Sequence, residues 1–225
     1  MGSQTAQSQG FKILPATAED FVTLAEVESI SNETATNTPM EANISRIMFG
    51  PPNAENHKFR AKGLVDSLSK DSTMRNYKAV VEEDGKEKIV AWASWNFYPE
   101  VQPIKDWVDL DWPATANKEA CNDLIGRMTA IRQQYMSGRR FAFLQVLATL
   151  PDFRLRGIGS SLVRHGLAEA EALGLSDLWL TASADGHDLY TKYGFQDLES
   201  VFTHEDIAKY GGSGDPKIMA MGRLG

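Results

Sequence analysis

The chain carries a single cysteine, Cys121, among 225 residues. No internal disulfide can form and no thiolate metal cluster can be built, so a reducing, cytoplasmic setting is expected. It has no uninterrupted apolar run long enough for a membrane-spanning helix. Basic charge is short as well: 23 Lys and Arg against 30 Asp and Glu leave a formal net charge of −7. Nucleic acid is therefore not an expected partner, because phosphate binding needs clustered Lys and Arg. An acidic chain suits a cationic acceptor such as an amine. The four histidines, at 57, 165, 187 and 204, are scattered without metal-ligand spacing. No serine lies in a glycine-flanked nucleophile motif, and no Ser-His-Asp ordering stands out. Met1–Gly10 has neither a basic start nor an apolar stretch, so it is expected to be a disordered lead rather than a signal peptide.

What remains is an ordinary globular composition, 42% hydrophobic and 24% charged, long enough to bury a core without staples. Residues 11–225 suit one domain. Phe11 to Leu14 is a short strand ended by Pro15. Thr17-Ala18-Glu19-Asp20 follows capping-box logic and predicts a helix from about Ala18 to Ile30. Residues 31–56 are expected to be loop with one short helical piece, followed by a helix over Lys58–Leu68. Tyr77–Val81 and Ile89–Trp95 flank Glu83-Asp84-Gly85-Lys86 and predict a hairpin, since Asp-Gly tolerates the positive φ of a tight turn. Phe97–Pro113, with three prolines, is irregular, and helical spacing returns over Asn117–Met136. Residues 98–140 are thus an insertion ahead of the next strand.

The second half is more regular. Phe141–Thr149 is apolar on both faces, as a central strand is. Ile158, Leu162, Val163, Leu167, Ala170 and Leu173 mark one helical face, stopped by Gly174. Leu178–Ala182 is a strand, Leu189–Tyr193 a short helix closed by Gly194, and strands follow around Leu198–Thr203 and Lys217–Met221. The class is α+β, an α/β/α three-layer arrangement around a mixed twisted sheet of about six or seven strands.

The junction after Phe141–Thr149 reads Leu150-Pro151-Asp152-Phe153-Arg154-Leu155-Arg156-Gly157-Ile158-Gly159-Ser160-Ser161. Small residues at 157, 159, 160 and 161 let a ligand approach the backbone. The first amides of the following helix lack intrahelical acceptors and carry partial positive charge. With two arginines beside them, a pyrophosphate site is the natural reading. A Walker loop is excluded, because Ser160-Ser161 follows Gly159 where a lysine is required. A dinucleotide fingerprint is excluded, because Leu162 stands where its third glycine belongs. The bland alternative is an ordinary strand–helix turn.

Arg154, Gly157 and Gly159 match the signature Gln/Arg-x-x-Gly-x-Gly/Ala, and Leu189-Tyr190-Thr191-Lys192-Tyr193-Gly194-Phe195 follows some thirty residues later. On these two linked motifs the chain resembles the GNAT acyl-CoA N-acyltransferases from about Phe141 to Phe195. The resemblance is architectural from Phe11 to Phe97 and lapses over Tyr98–Arg140. It implies acetyl-CoA as cofactor, with CoA as product. It places the backbone at Leu147, Ala148 and Thr149 against the pantetheine arm. The amides of Leu155, Arg156, Gly157, Ile158, Gly159 and Ser160 would hold the pyrophosphate, with Arg154 and Arg156 alongside. Tyr190 falls on the tyrosine that protonates the departing thiolate, although it also reads as a core aromatic. An amide near Leu147 would meet the developing oxyanion. Two departures stand out: Ser183 replaces a frequent asparagine, and Gln145 replaces a glutamate base, so no base is identified.

The expectation is an N-acetyltransferase acting on a small-molecule amine, as monomer or homodimer, without metal. Two rivals remain: a CoA-binding sensor or scaffold that has lost transfer activity, and a protein N-acetyltransferase. Asp109 and Asp111 with Trp107 and Trp112 read either as acceptor-pocket lining or as a solvated loop pinned by its tryptophans. His187 reads as a proton carrier or a solvated histidine, and Cys121 as a small buried apolar residue.

Overall fold

The Glu83–Lys86 turn closes as its residues dictate. Asp84 (φ 52°) and Gly85 (φ 73°) both adopt positive φ, and Glu83 pairs directly with Lys86. From that turn β2 (Met74–Glu83) and β3 (Lys86–Tyr98) run as a long antiparallel ribbon. The structure, a computed structural model, describes residues 10–225; the expected disordered lead, apart from Gly10, lies outside the described residues.

Five further strands complete one mixed sheet: β1 (Lys12–Pro15), β4 (Phe141–Thr149), β5 (Asp177–Ala182), β6 (Gln196–Phe202) and β7 (Ile218–Arg223). Their order is β1-β2-β3-β4-β5-β7-β6, with β4 central and parallel only to β5. Among the described residues seven α-helices flank it: α1 (Phe21–Glu33), α2 (Ile44–Phe49), α3 (Ala54–Lys70), α4 (Lys118–Met136), α5 (Ile158–Ala172), α6 (Ala184–Thr191) and α7 (His204–Ala208). The sheet is open, as expected of the α+β class.

Alternation along the strands divides the core. Ala93, Trp95, Ala142, Leu144, Leu178 and Leu180 face α5 and α6. Trp92 and Ala148 face α1 and α3, while Phe141, Phe143 and Trp179 face α4. Trp92, Trp95 and Trp179 are fully buried. At roughly 25 cal/mol per Å², rings of this size contribute on the order of 4–6 kcal/mol each before entropy is counted. α5 lies so close to β3 that a Cβ on Gly166 would sit 2.2 Å from Trp95 Cε2. Glycine at 166 is thus a packing requirement that sets the height of α5 over the sheet.

Several elements differ from the sequence reading. α6 begins at Ala184, five residues before the expected start, with Gly186 inside it. A Cβ there would meet Tyr190 Cε2 at 2.8 Å, so this glycine makes room for a ring and does not break the helix. α7 was not anticipated, although Thr203 and Asp206 form a capping box at its start. α1 runs three residues beyond Ile30, and its last carbonyls are held by a side chain described below.

Candidate acyl-transfer site

β4 leaves its neighbour halfway along. Parallel pairing with β5 runs from Phe141–Asp177 to Leu144–Leu180 and stops, yet β4 continues to Thr149 and β5 to Ala182. Pairing with β3 continues from Val146–Ser94 to Thr149–Ala91. Where the two behaviours divide, the β3–β4 register slips and Gln145 is the extra residue, a bulge that bends β4 away from β5. The result is a wedge inside the sheet, with one edge of β4 unpaired.

The hydrogen bonds fix which peptide groups face the wedge. Leu150 N–H donates to the Val90 carbonyl on β3. Thr149 N–H points the other way and donates to Ser31 Oγ at 3.3 Å. Strand alternation then puts the Leu147 amide on the wedge side and the Ala148 peptide groups on the β3 side. Of the three β4 residues expected to meet a pantetheine arm, Leu147 is the one with an open amide; Ala148 packs under α1 and α3.

Beyond the wedge the chain forms a loop shaped for an anion. A 3₁₀ turn at Pro151–Phe153 leads to Arg154, then Leu155 at φ 59° and Gly157 at φ 80°. Two left-handed residues flanking Arg156 curve the backbone so that successive N–H groups converge, the geometry of an anion nest. Leu155 tolerates φ > 0 at a cost of about 1–2 kcal/mol and has its side chain fully in solvent. Helix α5 then opens without a cap. Asn43, Asn53, Asn117 and Thr203 each accept an N3 amide at the starts of α2, α3, α4 and α7. Gly157 has no side chain to do so. The first intrahelical bond is Ser161 N–H to the Gly157 carbonyl, so the amides of Ile158, Gly159 and Ser160 have no intrahelical acceptor. Gly159 lines the wedge, its missing Cβ 3.8 Å from Leu147, Leu189 and Thr149 side chains.

Arg154 has another task. Its guanidinium donates to the Thr34 carbonyl (2.6 Å), the Ser31 carbonyl (2.7 Å), Thr34 Oγ1 (3.0 Å) and the Thr149 carbonyl (3.3 Å). It thereby caps the C-terminus of α1 and pins it to the end of β4. Asp185, in the first turn of α6, accepts from the amides of Thr36 and Asn37 and lies 4.0 Å from Arg154. Arg156 is the exposed cation of the loop, over the Phe153 ring at 5.0 Å. Ser160 Oγ meets Tyr193 Oη at 2.5 Å. Ser31, Thr34, Asp185 and Tyr193 were absent from the expected set. The first three lie more than a hundred residues from the site groups they hydrogen-bond, so no local pattern announces them.

Tyr190 is buried on α6, edge-on to Phe195 at 6.1 Å. Its hydroxyl has no hydrogen-bond partner among the described residues, yet is not among the orphaned polar atoms sealed from solvent. Burial pushes its pKa above the ordinary tyrosine value. Ser183 precedes α6, exposed, its hydroxyl making no cap bond. His187 is paired with Asp197 at 2.7 Å at the surface. Cys121 is buried, its thiol pushed up to about 12 by desolvation, so it stays protonated and inert. Trp112 is in the core, donating to Asn122 at 2.6 Å, and Asp109 and Asp111 stand in solvent: the loop is pinned by its tryptophan. Among the described residues no cluster of three His, Cys, Asp or Glu could hold a metal, and no helix is long and apolar enough to cross a membrane.

The comparisons with known proteins agree with this architecture. The sequence profile of the acetyltransferase (GNAT) family matches residues 52–195, more than half of the chain, and the chain belongs to that family. No curated protein matches it. Among solved structures it is similar to histone acetyltransferase HPA2 and related acetyltransferase from Corynebacterium glutamicum (21% identity, TM-score 0.56, covering 95% of this chain and 96% of that one). It is also similar to an acetyltransferase from Thermus thermophilus (14%, 0.54, 95% and 96%). A third is the PaiA N-acetyltransferase of Thermoplasma acidophilum, solved in complex with coenzyme A (14%, 0.50, 96% and 99%). At these identities the likeness is one of fold.

Proposed function

We propose that the chain is an acetyl-CoA-dependent N-acetyltransferase that passes the acetyl group directly to the amine of a small molecule, its residues 11–225 acting as one domain. The observation that carries this reading is the departure of β4 from β5 leading into the uncapped start of α5. An open strand edge suits an amide-bearing arm, and a nest of free amides suits a diphosphate. The same features fit acetyl-CoA, which supplies the activated thioester.

The residues have separable tasks. Amides from Leu155 to Ser160, with Arg156, hold the phosphates. The Leu147 N–H faces the wedge and meets negative charge developing on the acyl oxygen. Transfer forms one N–C bond and breaks one C–S bond. The amine proton leaves to water past the exposed Gln145, and the sulfur takes a proton from Tyr190 Oη. Burial keeps the Tyr190 phenol protonated at neutral pH, so a proton is at hand as the C–S bond breaks. The same burial makes it a weaker acid than a thiol of ordinary pKa about 8.5, so the phenolate is reprotonated at once from the water that took the amine proton. Arg154 acts at one remove, holding the loop and α1 in register. The insertion adds α4 and the 99–117 segment to the face from which an acceptor must enter, which favours a small molecule over a peptide.

The test is thiol release from acetyl-CoA over a panel of small amines, with acetylated products identified by mass. Amine-dependent release with matching product supports the proposal. Binding of acetyl-CoA without release for any amine or peptide would instead make the chain a CoA sensor.

A further inference from the structure

Gln145 is exposed although it sits mid-strand in the central strand of the sheet. On the face away from α5, α1 and α3 cover Val146 and Ala148, and α4 covers Phe141 and Phe143. Gln145 thus stands exposed between residues covered by these two groups of helices, on the face of β4 away from α5.

One cation packs on this face of β4 close to Gln145 in sequence register. Arg132, on α4, lies with its guanidinium carbon 4.7 Å from the centroid of the Phe143 ring. Phe143 is two residues before Gln145, roughly 7 Å along the strand. The other arginine of this helix, Arg127, pairs with Asp123 and Asp206; past its end Arg139 pairs with Asp177, and the exposed Arg140 donates to the carbonyls of Leu173 and Gly174. Arg132 has no carboxylate within 4 Å among the described residues. Asp71, which acts on the adjoining Tyr98, is already committed to Thr73 and Asn96. Burial pulls the Arg132 pKa down, and the neighbouring Tyr98 acts in the opposite sense. A half-buried guanidinium without a counter-ion is costly, and its planar fork is shaped for a carboxylate supplied from outside.

We infer that Arg132 receives a carboxylate of the acceptor, so that the preferred substrates are amines that carry one, amino acids in the broad sense. This rests on the acyl-transfer reading above and deepens it. Packing alone would equally keep Arg132 on Phe143, so the test must read charge recognition.

The experiment measures kcat/KM for free amino acids, lysine and ornithine among them, each against its carboxamide and its decarboxylated amine. It uses the full chain and its Arg132→Gln and Arg132→Lys variants. The wild type should favour the carboxylate member of at least one pair by tenfold or more. Arg132→Gln should remove that preference and Arg132→Lys restore part of it, with the KM for acetyl-CoA within twofold throughout. Comparing the same pair across variants cancels differences in amine basicity. The inference is overturned if the wild type shows no preference, if Arg132→Gln retains it, or if acetyl-CoA binds and no amino acid is acetylated. Should Arg132→Gln not fold, the wild-type pairs and Arg132→Lys still decide. Failure to bind acetyl-CoA at all would overturn the acyl-transfer reading instead.

Discussion

Replacing Gly166 by alanine tests how α5, and with it the nest, is held on the sheet. A Cβ at 166 would lie 2.2 Å from Trp95 Cε2, 2.3 Å from Nε1 and 2.7 Å from Cδ2. These atoms belong to a fully buried indole stacked on Phe97 at 5.9 Å, so the ring cannot swing aside. Either α5 rises or the indole is driven off its rotamer, an overpacking cost of about 3 kcal/mol. Alanine recovers roughly 1 kcal/mol of helix propensity, leaving a net loss of about 2 kcal/mol. For a chain of this size that is on the order of 4–8 °C in Tm. Gly63 in α3 is the control: it is exposed and a Cβ there meets nothing within 4 Å. Gly63→Ala should stabilise by about 0.5–1 kcal/mol. Thermal and urea unfolding of both variants reads the contrast. If Gly166→Ala is as stable as Gly63→Ala, α5 does not approach Trp95 in this way and the height of the nest is set by something else.

Other consequences follow from single residues. Arg154→Ala removes the cap on α1 and its tie to β4, which should cost about 2 kcal/mol in urea unfolding and raise the KM for acetyl-CoA. Unchanged values in both would show that the loop holds itself. Tyr190→Phe should lower kcat about a hundredfold with little effect on the KM for acetyl-CoA. Because burial raises this phenol's pKa, the wild-type rate should not fall through deprotonation of Tyr190 up to about pH 10; full activity of the variant would remove the role. Asp206 is held well below the ordinary carboxylate range. Burial alone would raise it, but Thr203, Lys209 and Arg127 outweigh that. Its contribution is therefore fully present above about pH 4 and is lost progressively as pH falls from there toward the depressed folded-state value. Asp206→Asn should cost about 2 kcal/mol at pH 7 and markedly less near pH 3; an equal cost at both would contradict this.

Much of the fold was legible because local signals and tertiary context agreed. Asp84-Gly85 named its own turn, β4 matched its apolar run from Phe141 to Thr149, and α4 ended at Met136 as expected. The nest was legible because glycine and small residues follow a buried strand. What sequence could not show was partnership across distance. Arg154 reads as a phosphate ligand from its neighbours, and only the fold brings it to carbonyls more than a hundred residues away. The short helix expected from Leu189 begins five residues earlier, with Gly186 fitted against the Tyr190 ring. Gln145 reads as a failed base, whereas the register slip makes it the bulge that opens the wedge. Arg132 carries no pattern at all; its interest lies in having no counter-charge among the described residues, which is a property of three dimensions.

The most direct measurement is a calorimetric titration of the folded chain with CoA, set beside pantetheine, which has the arm but lacks the diphosphate. Diphosphate held by the free amides at the start of α5 predicts one CoA molecule bound per chain, and pantetheine weaker by two orders of magnitude or more. No heat with CoA, or equal binding of pantetheine, would contradict it.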